Sequence, residues 1–299
     1  MATLKGRLTA ERYVTIVRIA LVALYVIVVT GALVRLTGSG LGCSDWPRCS
    51  ESRFIDVSTG HGAIEQINRL FTGLVAASVA LAVLGSLLLA VRRRVLTTLS
   101  LGLVAGVVAQ IIIGAIVVLT GLNPWANMAH FLVSMLLLAN GLVLLRIAER
   151  HAKDPGAIAL TDKPLAFFPW MIGLLGLCAV VTGTVVTASG PHAGDEDAVR
   201  FGFAISSVAR VHSISVIVTL GAIAVFLYRQ RRSTARSEIQ GKATSLIGIA
   251  LLQAFVGYLQ YFADVPALLV AFHVALAAGV WLALVDFVFA ANRAKLRAA

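Results

Sequence analysis

Eight apolar runs, each of roughly 18 residues or more, leave this 299-residue chain few ways to fold. Water cannot solvate such runs, whereas a bilayer core accepts each one as a helix whose backbone bonds to itself. The spans read at 14–36, 66–91, 95–119, 127–147, 166–188, 205–228, 244–262 and 266–290. Hydrophobic residues make up 59% of the chain and charged residues only 13%. A soluble domain carries about 25% charged residues, so this is an integral membrane protein. The first span is too long for a signal-peptide apolar region and is not followed by a small-residue cleavage pattern, so it reads as a permanent helix.

The formal net charge of +11 is distributed by topology. Lys5, Arg7 and Arg12 precede the first span, and Arg92, Arg93 and Arg94 fill the second gap. Arg150, Lys153 and Lys163, then Arg229, Arg231, Arg232, Arg236 and Lys242, occupy later alternate gaps, and Arg293, Lys295 and Arg297 close the series. The intervening gaps are acidic or neutral, with Asp45, Glu51 and Asp56 in one and Asp195, Glu196 and Asp197 in another. This alternation is the positive-inside signature, which places both termini in the cytoplasm and the chain in the cell membrane. It accounts for the basic character without any nucleic-acid partner.

The chain is internally duplicated. Gln110, Gly114 and His130 follow the pattern Q-x3-G-x15-H, and Gln253, Gly257 and His273 repeat it 143 residues later. Val29-Thr30-Gly31 is echoed by Val181-Thr182-Gly183, and Asn68 and His212 hold nearly matching places in the second and sixth spans. A four-span unit returns to its starting side, so the copies share orientation about an axis along the membrane normal. The expected fold is therefore all-α: eight transmembrane helices as two tandem, pseudo-two-fold-related four-helix bundles, residues 1–150 and 151–299. Pro155 and Pro164 punctuate the basic linker between them.

His130, His212 and His273 lie within apolar spans, five to eight residues from the outer helix ends. One such histidine is ordinarily an interhelical hydrogen-bonding residue. Three at one depth, two of them related by the repeat, point instead to ligands facing the bundle interior. His212 and His273, on the second and fourth helices of the C-terminal half, suit the two axial positions of a six-coordinate haem b. No further Cys, Asp or Glu lies at that depth to complete a zinc or copper site. The N-terminal half offers His130 but has Asn68 opposite, with Glu65 and Arg69 nearby on the same helix. Its haem would be held by one histidine, so that it can bind and leave. For Glu65 a solvated place at a helix N-terminus is the competing reading. Cys43 and Cys49, six residues apart in the first outer loop, can close a small disulfide, as a structural staple or a redox pair. Cys178 reads as a packing residue, and His151 and His192 as surface residues.

The run Gly31 to Cys49, and above all Gly40-Leu41-Gly42-Cys43-Ser44-Asp45-Trp46-Pro47, resembles the first helix and loop of the bacterial haem A synthase family. The resemblance extends over nearly the whole chain. It implies an enzyme that oxidises the C8 methyl of haem O to the formyl of haem A by successive hydroxylations and loss of water from a geminal diol. It implies that His212 and His273 ligate a permanent haem b and that His130 binds the substrate haem, beside Asn68 and Arg69. It further implies that Glu65 is catalytic, as the carboxylate of an E-x-x-H motif, and that Cys43 and Cys49 form a loop disulfide. Arg35, Arg69 and Arg210 are candidate propionate partners, with snorkelling to the interface as the alternative. The chain departs from the family at Asn68, where the pattern has histidine. Either His130 alone holds the substrate iron, or His61, one turn before Glu65, replaces the missing ligand, or activity is lost.

Two other classes compete. A membrane b-type cytochrome carrying electrons from a quinol would need neither the cysteine pair nor Glu65. A transporter predicts broken helices with polar residues at mid-membrane. A haem O synthase is the expected partner; the electron donor and any homo-oligomer are left open.

Overall fold

The computed structural model describes residues 8–154, 167–231 and 237–297. Lys5, Arg7, Pro155, Lys163, Pro164, Arg232 and Arg236 lie outside the described residues, as do the side chains of Arg293, Lys295 and Arg297. Among the described residues eight helices form: α1 (Ala10–Leu36), α2 (Gly60–Leu88), α3 (Arg94–Leu119), α4 (Pro124–Lys153), α5 (Phe167–Ser189), α6 (Ile205–Gln230), α7 (Ser237–Phe262) and α8 (Ala267–Arg297). All eight are long and apolar enough to cross a membrane, and the chain is a multi-pass all-helical membrane protein.

Several helices outrun their apolar windows, because a turn or two at each end lies in the polar interface. α2 starts at Gly60 rather than near residue 66, since the Thr59 hydroxyl caps it by accepting the Gly62 N–H at 3.0 Å. Thr9 caps α1 in the same way, and Asn123 caps α4 with Pro124 in its first turn. α4 and α7 likewise extend to Lys153 and back to Ser237.

In each consecutive set of four, every helix packs on the next and the fourth packs on the first, closing a ring. α2 and α4 are therefore diagonal partners in the first ring, and α6 and α8 in the second. α4 and α1 pack on α8, and α4 on α5, to join the rings. Two buried-side hydrogen bonds cross this seam: Tyr25 Oη to the Ala275 carbonyl at 2.9 Å, and Trp281 Nε1 to the Met135 carbonyl at 2.7 Å.

The helix ends at Arg92–Arg94, Arg150, Lys153, Arg229 and Arg231 define a basic face, and the two long connections define the opposite, loop face. The core lies toward the basic face. On α2 it runs from Val75 to Ala82, on α4 from Met135 to Ala148, on α6 from Ile223 to Phe226, and on α8 from Ala278 to Ala291. The loop-face third of these helices contributes far fewer buried apolar side chains.

Candidate functional site

All three intramembrane histidines sit where that core ends. Counted from Pro124, Ile205 and Ala267, each lies about two turns, roughly 10 Å, inside the loop-face end of its helix. His212 on α6 and His273 on α8 are on diagonal helices of the second ring and lie within electrostatic reach of one another.

Each imidazole rests on a neighbouring glycine. A Cβ on Gly183 of α5 would come within 3.1 Å of His212 Cε1, and one on Gly257 of α7 within 2.9 Å of His273 Cε1. His212 Nδ1 is 3.2 Å from Thr182 Oγ1, and the ring also bonds the Ala179 carbonyl. The Thr182 hydroxyl also lies 2.9 and 3.0 Å from the α5 carbonyls of Cys178 and Ala179 and 2.9 Å from Ser215 Oγ, which itself donates to the His212 carbonyl at 2.7 Å. For His273, Gln253 Nε2 donates to the histidine carbonyl at 3.0 Å and lies 3.1 Å from the ring Nε2.

The first ring repeats this scaffold with two changes. Gln110 Nε2 donates to the His130 carbonyl at 3.0 Å and to Ser134 Oγ, while Gly114 faces His130 Cε1. Thr30, the counterpart of Thr182, bonds Asn68 Oδ1 at 2.9 Å, so Asn68 takes from α1 the support that His212 takes from α5. His61 does fall within α2, because that helix begins early, but it is seven residues nearer the loop face than Asn68. Its Nδ1 bonds Ser39 Oγ at 2.9 Å, at the end of α1.

Glu65 and Arg69 face the first loop. Glu65 is 5% exposed. One of its oxygens accepts the Cys43 N–H at 2.7 Å, and the other takes Arg69 Nε and Nη2 at 3.0 and 2.6 Å. Arg69 Nη1 reaches on to the carbonyls of Asp45 and Arg48 at 3.0 and 3.1 Å. The pair thus clamps the loop that the Cys43–Cys49 disulfide closes. Further out, the Ser58 hydroxyl and amide hold the Asp56 carboxyl below its usual range. Among the described residues no hydrogen bond or ion pair joins His130 to Glu65, Asn68 or Arg69.

Arg35 does not stay in its own ring. Its Nε and Nη2 bond the carbonyls of His192 and Thr187 at 2.6 and 2.7 Å, and His192 in turn bonds the Val265 carbonyl at 2.8 Å. His192 is therefore structural rather than a free surface residue. Arg210 remains exposed near the start of α6. Cys178 is exposed on α5 rather than packed.

These residues fit a planar macrocycle better than a bare ion. Among the described residues no three His, Cys, Asp or Glu side chains gather as a metal-ligating cluster. The donors are paired imidazoles across a ring, at the level where packed side chains give out. His130 Nδ1 and His273 Nδ1 are buried without a hydrogen-bond partner, as are the Gln110 and Gln253 Oε1 atoms. Thr30, Thr182 and Ser134 had no sequence signal of their own, because hydroxyl residues are common in membrane helices. Their places in the duplicated pattern were the only cue.

The model of the COX15-CtaA family, described as cytochrome oxidase assembly protein, matches residues 14–194, more than half of the chain. Among curated proteins, the haem A synthase of Geobacillus kaustophilus is 34% identical over 130 residues, 43% of this chain and 41% of the relative. That of Geobacillus thermodenitrificans is 33% identical over 139 residues, 45% and 42% of the two chains. That of Lysinibacillus sphaericus is 30% identical over 169 residues, covering 56% and 55%. The chain thus spans about half the length of the curated relatives it matches. His212 and His273 lie beyond the segment matched by the family model.

Proposed function

Because this chain belongs to the COX15-CtaA family of cytochrome oxidase assembly proteins, we propose that it is a haem A synthase, oxidising the C8 methyl of haem O to a formyl group. The relatives named haem A synthase support this reading. The observation that carries it is the asymmetry between two otherwise matching rings. Thr182 supports a histidine at 212, whereas its counterpart Thr30 supports an asparagine at 68. One ring offers two imidazoles to an iron, which suits a resident group. The other offers one, which suits a substrate that must enter and leave.

In this reading residues 1–150 form the substrate half and 151–299 the cofactor half, related by a pseudo-two-fold axis along the membrane normal. His212 and His273 hold a haem b, which when bound supplies one-electron transfer. His130 holds haem O from α4, and Asn68 faces it from the diagonal helix. Glu65 is the carboxylate that takes or holds a proton as the methyl carbon is oxidised, oriented by Arg69 and the Cys43 amide. The first loop lies over this end of the ring and limits water there. We assign the loop face to the outside of the cell membrane and both termini to the cytoplasm, from the positive-inside pattern. A haem O synthase supplies the substrate.

The test is expression with a haem O source in a host lacking haem A, with extracted haems identified by chromatography and mass. Haem A formed by the parent chain and lost in His130→Ala supports the synthase. Haem b bound while haem O stays unconverted would leave a membrane b-type cytochrome as the better description.

A further inference from the structure

On the basic face a depression of about 450 Å³ opens between α7 and α8, beside Gly241, Ser245 and Ala283, with Lys242 and Asp286 at its head. A second space of about 180 Å³ adjoins it toward α4 and shares Lys242 and Asp286 in its lining. The duplicated pattern assigns this opening to the second ring. Counting back the same 143 residues, Ser245 and Ala283 match Gly102 and Asn140. Asn140 fills the gap between α3 and α4: its Nδ2 donates to the Leu99 carbonyl at 3.0 Å and lies 2.9 Å from where a Gly102 Cβ would stand. An alanine at 283 has no group to reach across in that way, so the gap between α7 and α8 stays open. Among the described residues, a Cβ on Gly241 or Gly248, on the same face of α7 as Ser245, would meet nothing within 4 Å.

The gap also differs in charge, since Lys242 and Asp286 stand where the first ring has Leu99 and Val143. Asp286 is already occupied: Arg146 takes both of its oxygens at 2.8 and 2.9 Å, and Lys242 takes one at 2.5 Å. Glu149 is divided between Arg146 and Arg18, at 2.9 and 3.3 Å. Arg150, whose guanidinium lies 5.3 Å over the Phe289 ring, and the exposed Lys153 add two cations on the α4 side, with Glu238 the remaining carboxylate. Cations thus outnumber carboxylates around a cavity at the end of the apolar spans, and an uncharged channel of small residues leads from it along α7. We propose that this cavity binds an anionic phospholipid, its phosphate among Lys242, Arg150 and Lys153 and one acyl chain along Ser245 and Gly248. A basic cavity between helices, at the depth of the headgroups, matches that ligand in charge and in shape. Free phosphate shares the charge but does not fill the channel.

The site is independent of the haem-binding reading, because only the charge and packing of α4, α7 and α8 enter it. The test uses the full chain, stripped of lipid in a neutral detergent, with phosphatidylglycerol, phosphatidylcholine or inorganic phosphate added in turn. Native mass spectrometry reads the lipid bound per chain and its apparent Kd. Phosphatidylglycerol is expected to bind at one site, about tenfold or more tighter than phosphatidylcholine, and to resist displacement by phosphate. Lys153→Gln removes one exposed cation and should weaken that binding about fivefold. Ser245→Gly combined with Ala283→Asn copies the closure of the first ring and should abolish the site while leaving every cation in place. Lys153→Gln decides the matter alone if that pair fails to fold. Equal affinity for the two lipids would mean an annular lipid only, and displacement by phosphate would mean a free-phosphate site; either result overturns the proposal. So would phosphatidylglycerol binding left unchanged by either folded variant.

Discussion

At the residue scale the site is set by small differences in room and in charge pairing. A methyl group on Gly257 would meet His273 Cε1 at 2.9 Å, whereas one on Gly114 would meet His130 Cε1 at an ordinary 3.5 Å. Overpacking costs about 1–3 kcal/mol. Gly257→Ala is therefore expected to lower stability by that amount and to reduce bound haem per chain, while Gly114→Ala leaves thermal unfolding in detergent unchanged. Equal effects of the two substitutions would contradict the packing argument. The Glu65–Arg69 pair makes a second prediction. Its side chains are 6% and 19% exposed, and Arg69 also holds two loop carbonyls. Removing one partner of a buried pair costs about 3–5 kcal/mol, so Arg69→Met should destabilise the chain on that scale and open the first loop to trypsin at Arg48 and Arg53. A loop still resistant in that variant would mean that the disulfide alone holds it. The three histidines within apolar spans stood out in the sequence because an ionisable side chain there is rare, whereas His151, read as a surface residue, is buried at 2% exposure. The glycines and threonines that seat the three did not stand out, because such residues serve helix packing everywhere in membranes.

The elements were legible as elements, since an apolar run long enough to cross a bilayer has no other way to satisfy its backbone. Their ends were not, and the early start of α2 mattered most, because it turned His61 from a loop residue into the first turn of a helix. Hydropathy ends where the apolar residues end, whereas a helix ends where its cap is. How the helices pair was equally hidden. Asp286 on α8 takes Arg146 of α4 at 2.8 and 2.9 Å and Lys242 of α7 at 2.5 Å, tying the two rings near the basic face. Hydrogen bonds to charged groups contribute about 1.5–3 kcal/mol, and Asp286→Asn leaves two cations facing each other. That single substitution should lower the unfolding free energy by a few kcal/mol on this scale. Adding Lys242→Met should restore part of the loss, a coupling that a double-mutant cycle reads directly. Strict additivity would place Lys242 outside the network.

At the scale of the whole molecule, duplication was visible as a spacing of 143 residues, but the way the copies interlock was not. Arg35 leaves the first ring to bond carbonyls at the end of α5 and in the loop beyond it, and the Gly40 N–H bonds the Gly194 carbonyl at 2.8 Å. The loops thus share one cover at the loop face, while charge pairs tie the helices at the other. A molecule stitched differently at its two faces has a definite orientation in the membrane, which the arginine-rich ends fix by remaining uncrossed. In a Cys178→Ala background, a membrane-impermeant maleimide should label Ser58→Cys in intact cells, because Ser58 is exposed on the loop face. Glu238→Cys, exposed at the start of α7 on the basic face, should label only after lysis. The reverse pattern would put the Cys43–Cys49 loop in the reducing cytoplasm, where a disulfide does not persist. The clamp that Glu65 and Arg69 build around that loop would then have to hold an open thiol pair, and the cover over the first ring would lose its closure.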